Sequence, residues 1–164
     1  MVKNISSQAI GRIGELATEI ELLKRGWLVG NFNSSIGNCA AYDLFATKDG
    51  KDITIRCKAF ILDCWTVRYC TKPNGEIFLN LKDEKNDLTV ITGVSEEKGP
   101  ECFYIVPTIV IDKIIKKEHS DWLKGCKKDG SPRKDSPMRA LKLKGTNSWE
   151  KEFNKYLNNW NILK

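Results

Sequence analysis

Glu15, Asp43 and Lys58 are the side chains in this sequence whose types and order could do chemistry together. Phosphodiester hydrolysis uses such a set: carboxylates to hold a divalent ion, a water activated beside that ion, and a positive group near the scissile phosphate. Glu15 falls in a stretch with helical periodicity. Asp43 follows Tyr42 at the start of an apolar, strand-like run. Lys58 comes fifteen residues later, at the end of the β-branched run Ile53-Thr54-Ile55-Arg56-Cys57-Lys58. Position 56, two before the lysine, is where a further acid or an amide would complete the set, and it holds Arg56. Each residue also has an ordinary reading: Glu15 as a solvated helix charge, Asp43 as the start of a strand, Lys58 as an edge lysine.

The elements that must position these groups can be read from pattern. Ser6 or Ser7 is placed to cap a helix running to about Arg25, with Ile10, Ile13, Leu16, Ala17, Ile20 and Leu23 at helical spacing. Gly26 ends it. Trp27-Leu28-Val29 reads as a short strand. It leads into a polar loop with Asn31, Asn33, Ser34, Ser35 and Asn38, which could contact phosphates or be an ordinary turn. Tyr42 to Thr47 and Asp52 to Phe60 read as two strands joined by a tight turn at Asp49-Gly50. Alternation then puts residues 52, 54, 56 and 58 on one face, so Arg56 and Lys58 point the same way.

Further strands are expected at Cys64 to Cys70, around Ile77-Phe78-Leu79 after the Lys72-to-Gly75 turn, at Leu88 to Val94 and at Cys102 to Val106. Residues 109–115 fit either strand or helix. Residues 124–139 read as an exposed basic loop. Ser148 is placed to cap a last helix with Glu150 and Glu152 in its first turn, and Trp149, Phe153, Tyr156, Leu157 and Trp160 would form its apolar stripe, read as core or interface. A helix, several strands and a helical end imply an α/β or α+β single domain, residues 1–164, with a central mixed sheet flanked by helices.

Charge is unevenly distributed. Residues 1–112 carry 13 Lys/Arg against 15 Asp/Glu, and residues 113–164 carry 14 against 6, giving −2 and +8 within a net charge of +6. A basic C-terminal third suits a polyanion, DNA or RNA, although a solvated lysine-rich surface gives the same count. Lys127, Lys128, Arg133, Lys134 and Arg139 are the candidate contacts to backbone phosphates. No apolar run approaches the roughly 18 residues of a membrane span, and the first residues do not read as a secretory signal. Six cysteines without a C-x-x-C pair, beside one histidine, argue for reduced thiols in a cytoplasmic protein and against a zinc site. Cys57 reads as a small buried hydrophobe.

The order Gly14-Glu15 on a helix, Tyr42-Asp43 on a strand, a hairpin turn and a strand ending in x-x-Lys58 resembles the PD-(D/E)XK nuclease superfamily. Asn86-Asp87-Leu88-Thr89-Val90-Ile91 and Phe103-Tyr104-Ile105-Val106-Pro107 look like the intron-associated homing endonucleases and resolvase-like members of that group. The resemblance covers about residues 6–112 and leaves 113–164 as a basic extension. It implies a restriction-endonuclease-like core, DNA as the partner, and Mg²⁺ or Mn²⁺ as cofactor. By the same resemblance Asp43 would be the central metal ligand, Glu15 an auxiliary ligand and Lys58 the catalytic lysine, in a dimer or tetramer.

Arg56 departs from that pattern by putting a permanent cation where the family has Glu, Asp or Gln. At about 4 Å and an effective dielectric of ~20, its repulsion of a divalent ion would amount to several kcal/mol. Three arrangements follow. Arg56 fills the site and weakens or abolishes cleavage. It swings out and leaves Asp43 and Glu15 to hold metal. Or Asp52, about 13 Å back along the strand at ~3.3 Å per residue, supplies the missing acid. Beside a DNA-cleaving protein stands a second function class, a non-catalytic nucleic-acid-binding or inhibitor module that uses Arg56 and Lys58 to grip phosphate or a carboxylate. A third is a protein-interaction domain that binds no nucleic acid.

Overall fold

The computed structural model describes residues 5–32, 42–70, 86–135 and 138–163. The expected strand around residues 77–79 and most of the Asn/Ser loop fall outside them. Helix α1 (Ser7–Lys24) opens at Ser6, whose side chain accepts from the Ala9 N–H at 3.2 Å. It stops at Gly26, where φ is +78°. Strands β1 (Leu28–Asn31), β2 (Leu44–Lys48) and β3 (Lys51–Ile61) form an antiparallel meander. The β2–β3 turn takes positive φ at Asp49 (51°) and Gly50 (77°), the primed-turn geometry that the Asp-Gly pair favours.

Next come β4 (Thr66–Cys70), β5 (Asp87–Ser95) and β6 (Gly99–Pro107), then helix α2 (Thr108–Leu123), strand β7 (Met138–Lys142), a single helical turn α3 (Glu150–Phe153) and two 3₁₀ turns, Asn154–Tyr156 and Trp160–Leu163. The central sheet has the order β1-β2-β3-β5-β6, with β3 and β5 parallel and the other pairs antiparallel. The protein is therefore a mixed α+β fold around a mixed five-stranded sheet.

The sheet separates two cores. On the α1 side, Leu22, Trp27, Leu44, Ala46, Ile53, Ile55, Cys57, Val90 and Ile105 pack together. On the other side, Phe60, Val67, Tyr69, Ile91, Val106, Ile111, Leu141, Leu143 and Phe153 pack beneath α2 and a second, two-stranded sheet of β4 and β7. Strand β3 serves both cores by alternation: 53, 55 and 57 face α1, while 54, 56, 58 and 60 face the small sheet.

One open segment is resolved and three expectations are corrected. The ambiguous segment 109–115 is helix, entered directly from β6 with Pro107 at the N-cap. The expected apolar stripe of α1 is only partly buried. The inward row is Ile10, Gly14, Ala17, Thr18 and Leu22, and Leu16, Ile20 and Leu23 are 42–51% exposed. Small residues face inward because the helix lies close on the sheet: a Cβ at Gly14 would come within 2.8 Å of the Ala59 Cβ. The last helix is one turn long and is capped at Trp149 with no side-chain bond, not by Ser148. The chain leaves helical geometry there to dock along the outer edge of β6, where the Asn158 N–H donates to Phe103 O and Asn158 Oδ1 accepts from the Phe103 N–H at 2.9 Å. Finally, the end of the expected basic loop, residues 138 and 139, belongs to strand β7 (Met138–Lys142). Among the described residues no helix is long and apolar enough to cross a membrane, and Cys57, Cys64, Cys102 and Cys126 are free thiols.

Candidate functional site

Asp43 stands where β2 parts from β3. Its N–H still donates to Ile55 O at 2.9 Å. One step further along β3, the Cys57 N–H donates at 2.7 Å to the Asp43 carboxylate (Oδ2) in place of a strand carbonyl. That bond fixes the carboxylate at the edge of β3, within the field of groups on both faces of the sheet. On the α1 side are Glu15 and the Cys57 thiol. Glu15 accepts from Arg12 Nη1 at 2.8 Å, and Gly14, the residue before it, is seated against Ala59 and the Lys58 carbonyl. Burial pushes the Cys57 thiol well up, and the charges of Asp43 and Glu15 add to this. On the opposite face are Arg56 and Lys58. The Lys58 ammonium lies 5.5 Å from the centroid of the Tyr69 ring, which β4 supplies.

Arg56 is half-buried, and desolvation depresses its guanidinium below the ordinary value. Asp43 opposes that most strongly, followed by Tyr69, Tyr42 and Asp87. It remains a cation. Asp87 was not among the residues singled out as functional, yet it is 3% exposed at the start of β5. Its carboxylate accepts from the Tyr42 hydroxyl at 3.3 Å and from the Thr54 hydroxyl, its partner in register on β3. Arg56 is thus set among two carboxylates and two phenols. An acid opening a strand without other charged residues was the available signal for Asp87, because a carboxylate buried there requires partners. Asp52 does not enter the site. It is exposed and opposite Thr47, near the turn end of the hairpin.

Among the described residues the acidic groups near Asp43 are already engaged. Among the described residues no three His, Cys, Asp or Glu side chains come together to hold an ion. Asp43 commits one oxygen to the Cys57 N–H, and Glu15 pairs with Arg12. The charge of Asp43 also acts on the Arg56 guanidinium, more strongly than any other charge does. Arg56 and Lys58 share one face, and a guanidinium can present several donors to phosphate oxygens.

The five basic residues assigned to phosphate contact divide. Lys127, Lys128 and Lys134 are exposed. Arg133 folds back on α2, where Nη1 donates to Trp122 O at 2.7 Å and Nε to Cys126 O at 3.1 Å, with the guanidinium 5.0 Å from the Trp122 ring centroid. Arg139 is 7% exposed, on β7 opposite Tyr69, and pairs with Asp135 at 3.5 Å. It points inward because β7 alternates and residues 139 and 141 face the core. A separate cavity of about 530 Å³, lined by Arg25, Trp27, Lys48, Lys51, Trp160 and Leu163, lies at the hairpin-turn end and includes none of Glu15, Asp43, Arg56 or Lys58.

No family model and no curated protein sequence matches this chain. Among solved structures it is similar to a bacterial homing endonuclease, I-Ssp6803I, with a TM-score of 0.53 and 17% identity, over 96% of this chain and 92% of that one. The fold is therefore a nuclease-like one, and at that identity the likeness speaks for the fold alone.

Proposed function

We propose that this chain is a DNA-acting protein of the PD-(D/E)XK type. Arg56 has taken over the cationic role in its site, so the site grips a backbone phosphate while metal-dependent cleavage is weakened or lost. The observation that carries this reading is the Asp43 carboxylate bonded to the Cys57 N–H, next in the chain to Arg56, which shares a face of β3 with Lys58. The nuclease-like fold supports nucleic acid as the partner, as do the exposed Lys127, Lys128 and Lys134 in the basic third of the chain. Those lysines would supply affinity and orientation rather than sequence choice.

The test is to incubate the native protein, Asp43→Ala and Arg56→Gln with supercoiled and branched DNA, in Mg²⁺, Mn²⁺ or chelator. The reading expects salt-sensitive binding by the native protein in chelator, little or no cutting, and metal-dependent cutting gained in Arg56→Gln. Native cutting that requires both metal and Asp43 would replace it with the active-nuclease reading.

A further inference from the structure

Tyr69 belongs to no motif and lies in the second sheet, yet it forms part of the wall facing Arg56 and Lys58. Its ring packs in the core with Phe60, Val67 and Leu141, and the residue is 3% exposed. Its hydroxyl is buried with no hydrogen-bond partner among the described residues. A buried donor left unmade is costly, and phenol hydroxyls in protein interiors ordinarily find an acceptor. The groups around this one are cationic. The Lys58 ammonium stands 5.5 Å from the ring centroid, and the Arg56 charge acts on the phenol. Neither cation can accept a proton from it. The missing partner is therefore an acceptor, and beside two cations an anionic acceptor is favoured.

We propose that Tyr69 is a ligand-binding residue whose hydroxyl donates to a non-bridging oxygen of a phosphate held by Arg56 and Lys58. The proposal rests on the phosphate-gripping reading of the site and adds a residue to it. The three groups divide the work. Arg56 and Lys58 supply charge from β3, whereas Tyr69 supplies a neutral, directional donor from β4. That donor acts in a desolvated setting, where a hydrogen bond to an anion is stronger than in water. The small β4–β7 sheet then has a role in the site, because pairing with β7 holds Tyr69 in register, opposite Arg139.

Tyr69→Phe tests this, because it keeps the ring and removes only the hydroxyl. Thermal unfolding would be followed for the native protein and the variant, with and without inorganic phosphate at matched ionic strength, alongside binding of a short DNA duplex in chelator. The expected result is a ligand-free Tm equal to or above native, a reduced phosphate-induced rise in Tm, and phosphate affinity about tenfold weaker. A full phosphate response in the variant, no phosphate response in the native protein, or a lower ligand-free Tm (showing that the hydroxyl is satisfied within the fold) would each overturn the proposal. If phosphate stabilises the native protein and not the variant, but neither binds duplex, the assignment of Tyr69 stands and the DNA reading falls.

Discussion

Asp87→Asn probes whether the buried Asp87 carboxylate supports Arg56. The carboxylate is 3% exposed and accepts from the Tyr42 and Thr54 hydroxyls. Asparagine keeps the shape, but it exchanges one acceptor for a donor and removes a negative charge from the surroundings of the guanidinium. Hydrogen bonds to charged groups contribute about 1.5–3 kcal/mol, and orphaning one side of a buried ion pair costs about 3–5 kcal/mol. Arg56 is only half-buried and keeps Asp43, so the lower range applies: a loss of about 2–3 kcal/mol, or about 5–10 °C in Tm for a chain of this size. Urea unfolding of native protein, Asp87→Asn, Arg56→Gln and the double variant gives a thermodynamic cycle. The second substitution should cost at least about 1 kcal/mol less in the presence of the first. Additivity within about 0.5 kcal/mol would show that Asp87 and Arg56 do not support each other.

Other outcomes follow from the same geometry. Gly14→Ala should destabilise the fold by about 1–2 kcal/mol despite the better helix propensity of alanine, because the new methyl meets Ala59 at 2.8 Å and lifts α1 from β3; denaturant titration reads this. The Cys57 thiol, raised by burial and by Asp43, stays protonated at pH 8. Alkylation under native conditions followed by peptide mass mapping should therefore mark the exposed Cys64 and Cys126 and spare Cys57. Replacing Lys127, Lys128 and Lys134 together by Ala should lower the salt slope of DNA binding by about 3 while leaving Tm nearly unchanged. Arg139→Ala should do the reverse, losing stability with little change in slope.

Much of the scaffold was legible because local chemistry and tertiary packing agree there. Ser6, Gly26 and the Asp49-Gly50 turn each dictate a boundary that packing leaves in place, and the alternation of β3 correctly put Arg56 and Lys58 on one face. The failures lie where a distant partner decides. Residues 109–115 are β-branched and could have extended β6, but helix α2 buries Ile111 and Ile115 over the second core. Strand β7 was hidden by charge, since Arg139 looks like a surface residue until β4 turns it inward. The last helix was overextended because nothing local announces that Asn158 will bond to the edge of β6. Around the candidate site, Asp43 and Arg56 are the residues that spacing singles out. Asp87 and Tyr69 reach the same place through the β3–β5 register and the small sheet, neither of which leaves a trace at short range.

In the proposed reading, Arg56 stands in for a metal ion. Binding of Mn²⁺, followed by electron paramagnetic resonance in the native protein, Arg56→Gln and Asp43→Ala, tests it most directly. The expected result is no stoichiometric ion in the native protein and an ion gained in Arg56→Gln. One tightly bound ion per native chain, lost in Asp43→Ala, would contradict it.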